Sequence, residues 1–389
     1  MPIGEGSVFF LYLKDLLLVN FRNYDKLELS FDSNLVLFVG RNGQGKTNIL
    51  ESIFLCCTGR SHRTSRDKEL VKWQSEGALV RIGVEKSVGD SRIEIHLKSS
   101  EKKRILINAV NIARIGELMG HLNSVIFSPE DMKLVKEGPV ERRRFMDMEL
   151  SQIRPRYFYY LQQYNRILNH RNNLLKEIRF KGSLRKTLPV WNMQLAEAGS
   201  NIIEQRHGFC ISLNSIAGEI HRNISHGTEK LALSYRPSIP YKSAARKDIL
   251  EAFIAELEAR EQEDIERGST GRGCHRDDIS ISINGADVRI YGSQGQQRTT
   301  VLSLKLSEIE FMHGETGEYP VLLLDDVMSE LDAGRQQMLL EYIKGVQTFI
   351  TAADIRHLPD INGMNPEVFT IAGGRVQKCD FNGKHALLE

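Results

Sequence analysis

Leu35-Val36-Leu37-Phe38-Val39-Gly40-Arg41-Asn42-Gly43-Gln44-Gly45-Lys46-Thr47 is the stretch on which the reading of this chain turns. Its first five residues are all apolar, too short a run for a helix, and predict a strand buried on both faces. Gly40 to Thr47 then match G-x-x-x-x-G-K-[ST] in full. A helical run over 48–57 follows, which completes the strand–loop–helix setting the motif requires. Glycines let successive backbone N–H groups curl round a phosphate, and the helix N-terminus adds partial positive charge. Lys46 brings a full charge to the β- and γ-phosphates, and Thr47 a hydroxyl to Mg²⁺. Gly40, Arg41, Asn42, Gly43, Gln44, Gly45, Lys46, Thr47 and Asn48 are therefore the expected nucleotide-binding residues, with ATP and Mg²⁺ as ligands.

Far along the chain, a second apolar strand, 321–325, ends on two carboxylates, Asp325 and Asp326. Asp325 is the candidate Mg²⁺ ligand beside Thr47, and Asp326 the candidate base for an attacking water. Such an ending is weak alone, but it gains weight from Tyr291-Gly292-Ser293-Gln294-Gly295-Gln296-Gln297-Arg298, about 30 residues upstream, with an amphipathic helix expected over 299–311. Ser293 or Gln294 could simply cap that helix. The turn also resembles the Ser-Gly-Gly-Gln signature loop of ABC ATPases, with Gln294 in place of the first Gly. That resemblance implies a site shared by two copies: Ser293 and Gly295, with Gln296 beside them, close on the γ-phosphate held by a second protomer. It implies the catalytic set Lys46, Asp325, Asp326 and Ser293, with Asp326 where ABC ATPases usually carry Glu. Ser329-Glu330-Leu331-Asp332 follow at the D-loop offset.

The rest of the chain falls into three blocks. Residues 8–128 read as strands with one P-loop helix; the expected strands include 24–31, 79–84, 93–97 and 105–110. Residues 129–268 change to helical spacing, with Tyr157, Tyr164 and Leu168 on one run and Leu195, Ile202, Phe209 and Ile220 on another. The Gly- and Pro-containing stretch 181–189 between them predicts an antiparallel hairpin of long helices. An acidic helix is expected over about 247–267. Residues 269–389 return to alternating strands and helices, including a strand at 348–351. The fold class predicted is α/β, an ABC-type P-loop ATPase head built from both chain ends, with a mainly helical arm inserted between them.

Several further segments occur in order. They are Asn20-Phe21-Arg22-Asn23-Tyr24, then Gly59-Arg60-Ser61-His62-Arg63-Thr64, then Phe127-Ser128-Pro129-Glu130-Asp131. Pro139-Val140-Glu141-Arg142-Arg143-Arg144-Phe145 and His275-Arg276-Asp277-Asp278 complete the set. With the P-loop, the signature turn and 323–332, they are similar to the bacterial RecF family of SMC-like ABC ATPases over nearly the whole chain. The resemblance implies a slow ATPase and an ATP-dependent homodimer. It also implies binding to double-stranded and single-stranded DNA at gaps or junctions, and help in loading RecA with RecO and RecR in the SOS response. In SMC-like heads a basic loop after the P-loop helix contacts DNA, which makes Arg60 and Arg63 DNA contacts or couplers of ATP to DNA. An ion pair with Asp67 or Glu69 is the structural alternative for them. Departures are Cys274 where the family usually has Pro, His62 where Phe is commoner, no clear Q-loop Gln near 127–131, and Ala352-Ala353-Asp354 where transporters place a switch His.

Residues 139–190 hold twelve Lys/Arg against four Asp/Glu, whereas the helix at 247–267 is acidic. That asymmetry suits an arm with one phosphate-facing surface; solvated faces with i,i+4 pairs would give it too. Arg142, Arg143 and Arg144 cannot all share one helix face, so at least one is expected to pair with the head. His275, Asp277 and Asp278 could meet nucleotide or a partner protomer. Net charge is +2 and hydrophobic residues make 41% of 389, an ordinary globular balance. No apolar run approaches the ~18–20 residues of a membrane span. Five cysteines without a C-x-x-C pair argue against a disulfide framework or structural zinc and for the cytoplasm. Residues 1–7 read as an extension and 388–389 as a tag, and no signal peptide is read. The competing class is an ABC-type ATPase subunit acting on a non-DNA partner; a fused nuclease is disfavoured because no Asp/Glu/His cluster follows Asp332.

Overall fold

The computed structural model describes residues 11–86, 89–98, 101–355, 358 and 361–379; the expectations for 1–7 and 388–389 lie outside them. The chain forms two compact units, one from 1–131 with 308–389 and the other from 132–307.

The first unit holds two sheets. One is mainly parallel, in the order 375–379, 367–372, 35–39, 348–352, 321–325, 124–127, with only the 375–379 edge strand antiparallel. Leu35–Val39, Thr348–Ala352 and Val321–Asp325 are buried at every position, as a strand covered on both faces must be. Phe31, Phe38, Phe349 and Phe369 pack as one aromatic cluster, with Phe31 edge-on to Phe349 at 4.9 Å. The second sheet is an antiparallel meander, ordered 24–30, 11–21, 77–86, 91–98, 104–107, 110–111. Gln347 ties the sheets together, taking the N–H of Leu13 at 2.7 Å and donating to its carbonyl at 2.9 Å. The single strand expected at 105–110 is instead a hairpin, Arg104–Ile107 and Val110–Asn111. Asn108 (φ 50°) and Ala109 (φ 65°) make its two-residue turn.

In the second unit Pro155 ends one helix, Pro139–Ile153, and opens the next, Pro155–Ile178. That helix pairs with Leu188–Ile224 as the expected antiparallel hairpin: Arg171 meets Asn192, and fourteen residues back Tyr157 meets Arg206. The acidic helix is two pieces, Arg246–Ala259 and Glu261–Arg267, separated at Arg260 (φ −103°, ψ 11°). The division at residue 268 differs from the structure. Asp278–Ile283 pairs along its length with Leu231–Arg236, so 269–307 belong with the helical unit. The boundary falls inside the helix Gln294–Thr316.

This moves the arginine triplet's partners as well. Arg142, buried, makes a two-pronged bond to Asp278 at 2.7 and 3.0 Å, and Arg143 donates to the Asp277 carbonyl at 2.7 Å. Both partners lie in the same unit as the triplet rather than in the ATPase head. Arg171, fully buried, pairs with Asp264 at 2.8 Å. Among the exposed cations of the basic stretch, Lys176, Arg179, Lys181, Arg185 and Lys186 lie near the hairpin tip, with Arg185 bonded to Glu261, while Arg144, Arg156 and Arg166 are exposed elsewhere along it.

Candidate active site

Three parallel strands, 35–39, 321–325 and 348–352, end side by side, so the P-loop, the Asp-Asp pair and Thr351 arrive at one place. Two glycines there answer to sterics. A Cβ on Gly40 would lie 2.2 Å from the Ile371 carbonyl, and one on Gly45 (φ 116°) 2.6–2.8 Å from the Asn23 and Tyr24 side chains. Those side chains brace the loop from behind. The Tyr24 hydroxyl donates to the Gly45 carbonyl (3.1 Å), Asn23 donates to the Gln44 carbonyl (2.9 Å), and Asn48 donates to Asn23 (2.8 Å). Gln44 turns away from the loop's open side, its side-chain oxygen taking the Gly373 N–H at 2.6 Å.

A cleft of about 360 Å³ opens in front of the loop, walled by Asn42, Gly43, Gly45, Lys46, Thr47, Asn48, Arg63, Asp325, Asp326 and Thr351. Gly40, Arg41 and Gln44 frame the loop without lining that cleft. Lys46 is buried, and its ammonium donates to the carbonyls of Gly40 (2.5 Å) and Arg41 (3.1 Å). Burial lowers its pKa from the ordinary lysine value, against the pull of Asp326 and Asp325. Asp325 Oδ1 accepts from the hydroxyls of Thr47 and Thr351, both at 2.8 Å. Thr351 in turn takes the N–H of Asp326 at 2.9 Å, and Asp326 sits in the left-handed region (φ 56°). Strain of that kind in a non-glycine residue marks places where the fold fixes a side chain's direction. Ser329 closes the corner by donating to the Asp326 carbonyl at 2.8 Å, and Asp332 caps the following helix through the Arg335 N–H.

Glu51, one turn beyond Thr47 and fully buried, is the residue the sequence reading missed. It accepts two bonds from Arg22 (2.9 and 2.7 Å), one from Ser61 (2.5 Å) and a longer one from Arg63 (3.4 Å). Burial works against its charge, but Arg22 and Ser61 outweigh that and hold the carboxyl below its usual range. An acid inside the otherwise uncharged, mostly apolar run Ile49–Cys57 was the available signal. Arg63 also donates to Asn48 at 2.9 Å and so stands on the cleft wall. Neither expected acid is its partner, since Asp67 binds Lys103 and Glu69 binds Arg66. Arg60 is exposed.

The signature turn belongs to the second unit. Ser293 Oγ accepts from the Gln296 N–H (3.2 Å), and Gln296 Oε1 accepts from the Ser293 N–H (2.9 Å), a reciprocal capping box at the start of Gln294–Thr316. Capping and signature are thus compatible readings of the same residues. His275, Asp277 and Asp278 are engaged by side chains and backbone of their own unit, Asp278 by Arg142 as above. Asp277 is fully buried between Arg206 (3.2 Å), Tyr235 and the Ser238 N–H (2.8 Å), and His275 bonds Tyr164 and the Thr270 carbonyl.

A family model described as the RecF/RecN/SMC N terminal domain matches residues 12–364. The DNA replication and repair protein RecF of Alkaliphilus oremlandii is 46% identical over 94% of this chain and 99% of its own. That of Ruminiclostridium cellulolyticum is 47% identical over 94% and 99%. This chain belongs to the RecF family. The solved structure of the recombination mediator protein RecF with ATP in the RecFOR pathway superposes with a TM-score of 0.90 at 39% identity, covering 97% of this chain and 100% of that one. An Smc head domain from Pyrococcus furiosus shares the fold, with a TM-score of 0.55 at 16% identity over 95% and 96%. The ATPase-head architecture of the RecF family is therefore the architecture here. Two departures fit it locally. His62 packs edge-on against Phe54 at 5.3 Å, and burial lowers its pKa, so it serves as a neutral aromatic. Cys274 is a buried thiol donating to the Gly199 carbonyl at 3.3 Å. Among the described residues no helix is long and apolar enough to cross a membrane.

Proposed function

We propose that the chain is a cytoplasmic, ATP-dependent DNA-binding protein of recombinational repair. Two copies close on two nucleotides, each gripped by the P-loop of one copy and capped by the Ser293 turn of the other. The observation that carries this reading is the Thr47–Asp325–Thr351–Asp326 cluster on the cleft wall, with every bond at 2.8–2.9 Å. Thr47 Oγ1 and Asp325 Oδ1 are hard oxygen donors facing one cleft, a donor set that fits Mg²⁺, and they would hold it. Bound there, Mg²⁺ supplies charge neutralisation on the β- and γ-phosphate oxygens. Lys46 exchanges the Gly40 and Arg41 carbonyls for phosphate oxygens. The Asp326 carboxylate accepts the proton of the water whose oxygen adds to the γ-phosphorus as ADP leaves. Ser293 and Gly295 of the second copy complete the site, so turnover is slow and follows dimerisation.

Arg63 spans the cleft and the exposed loop, which suits a coupler between nucleotide and DNA. Arg60 and the cations at the hairpin tip suit sequence-independent, salt-sensitive phosphate contacts on gapped or junction DNA. RecO and RecR are the partners the RecFOR relatives suggest, with RecA loading as the outcome. Asp326→Asn tests the reading: it is expected to bind ATP and dimerise but to hydrolyse about 10²–10⁴ times more slowly. Trapped in that state, it should bind gapped DNA with an affinity that falls steeply with salt. Lack of any ATP-dependent DNA affinity would favour an ATPase acting on a non-DNA partner.

A further inference from the structure

The capping box uses only half of Gln296. Its amide nitrogen, pointing away from Ser293, donates to Glu229 Oε1 at 2.9 Å. The other oxygen of Glu229 lies 3.0 Å from His221 Nε2, and His221 Nδ1 lies 3.0 Å from Ser303 Oγ. Ser303 donates to the Thr299 carbonyl at 2.8 Å, and Thr299 donates to the Gly295 carbonyl at 2.9 Å. The chain of bonds thus leaves the signature turn through Gln296 and returns to the first two turns of the same helix. Its outer members sit on fixed backbone. His221 is fully buried in the last turn of Leu188–Ile224. Glu229 lies one residue before Lys230, whose N–H is held by Asn284 at 2.8 Å. All of these residues lie in the second unit.

A glutamine carries three rotatable side-chain bonds and is poorly ordered unless both ends of its amide are engaged. Here the carbonyl end holds the Ser293 N–H and the amino end is held by a carboxylate, a charge-assisted bond stronger than a neutral one. We propose that Glu229, clamped by His221, is a positioning residue. It fixes Gln296, and with it the Ser293–Gly295 turn, in the shape that meets the nucleotide of a second copy. This rests on reading the turn as the trans cap.

The test compares Glu229→Ala and Glu229→Gln with Ser293→Arg, in the full chain. Three readouts are taken: ATP affinity of the monomer, ATP-driven dimerisation by analytical ultracentrifugation, and melting temperature. Glu229→Ala should keep monomer ATP affinity and weaken ATP-driven dimerisation by about tenfold, the loss of one charge-assisted hydrogen bond. Glu229→Gln should restore dimerisation to within about threefold of the native chain. Its amide oxygen still accepts from Gln296, and its amino group can donate to the other tautomer of His221. Equal damage in both variants at unchanged melting temperature would overturn the proposal, because a carboxamide keeps the hydrogen bonds. Native dimerisation in Glu229→Ala, with Ser293→Arg monomeric, would overturn the positioning role alone. Native dimerisation in Ser293→Arg would overturn the trans-cap reading beneath it.

Discussion

Two polar centres, one in each unit, look alike in sequence and differ in what their charges do. In the cleft before the P-loop, Lys46, Asp325, Asp326 and Arg63 all border open space, and the Lys46 ammonium is held by carbonyls of its own loop. In the helical unit, Arg206 is sealed between Asp147 (2.7 Å), Asp277 (3.2 Å), the Tyr157 hydroxyl (3.0 Å) and the Cys274 carbonyl (2.7 Å). The first arrangement has capacity left for a ligand, whereas the second is saturated from within. A conspicuous motif such as His275-Arg276-Asp277-Asp278 therefore serves the fold, although its residue types suit a site. Partner count and open volume separate the two cases.

The largest effect expected from this contrast is on the sealed side. Arg206→Ala leaves Asp277 buried without its counter-charge and should lower stability by about 3–5 kcal/mol, read as a drop in the urea midpoint. ATP affinity of the folded fraction should be unchanged; a specific loss of ATP binding would return this centre to the active site. On the open side, Lys46→Ala should weaken ATP binding roughly a hundredfold, about 2.7 kcal/mol. It should move the urea midpoint by less than about 1 kcal/mol. Retained ATP affinity by titration would contradict the site.

Glu51 lies between these extremes, being buried, paired with two arginines, and touching the cleft wall through Arg63. Glu51→Gln should cost about 2 kcal/mol near neutral pH. The folded carboxyl titrates below its ordinary 4.5. Its contribution is therefore complete above that pH and fades as pH falls through the folded value. The gap between variant and native chain should close in acid, and a gap that stays constant there would show that the geometry rather than the charge of Glu51 matters.

What the residues disclosed followed their range of action. The P-loop and its strand are local, so the strand, loop and helix around Gly40 to Thr47 were legible from neighbouring residues alone. The Asp325–Asp326 ending was readable because a fully apolar strand leads into it. The brace from Asn23 and Tyr24, and the Thr351 bonds to both aspartates, join segments more than 20 residues apart, with no spacing to betray them. The boundary at 268 was misplaced for the same reason. Strand pairing of 278–283 with 231–236 is non-local, while the change from helical to alternating pattern near 270 is what the sequence displays. Not all of the basic character of 139–190 is exposed charge, because Arg142 and Arg171 are spent on Asp278 and Asp264.

The central claim is that one triphosphate needs two copies of the chain. Mixing Lys46→Ala with Ser293→Arg measures it most directly, because a mixed dimer holds one intact P-loop facing one intact signature turn. Each variant alone should remain monomeric with ATP and hydrolyse almost none. The mixture should form an ATP-dependent heterodimer and recover up to about half of the native rate, one site of two. A mixture as inactive as its parts, or Ser293→Arg that hydrolyses at the native rate alone, would contradict the account.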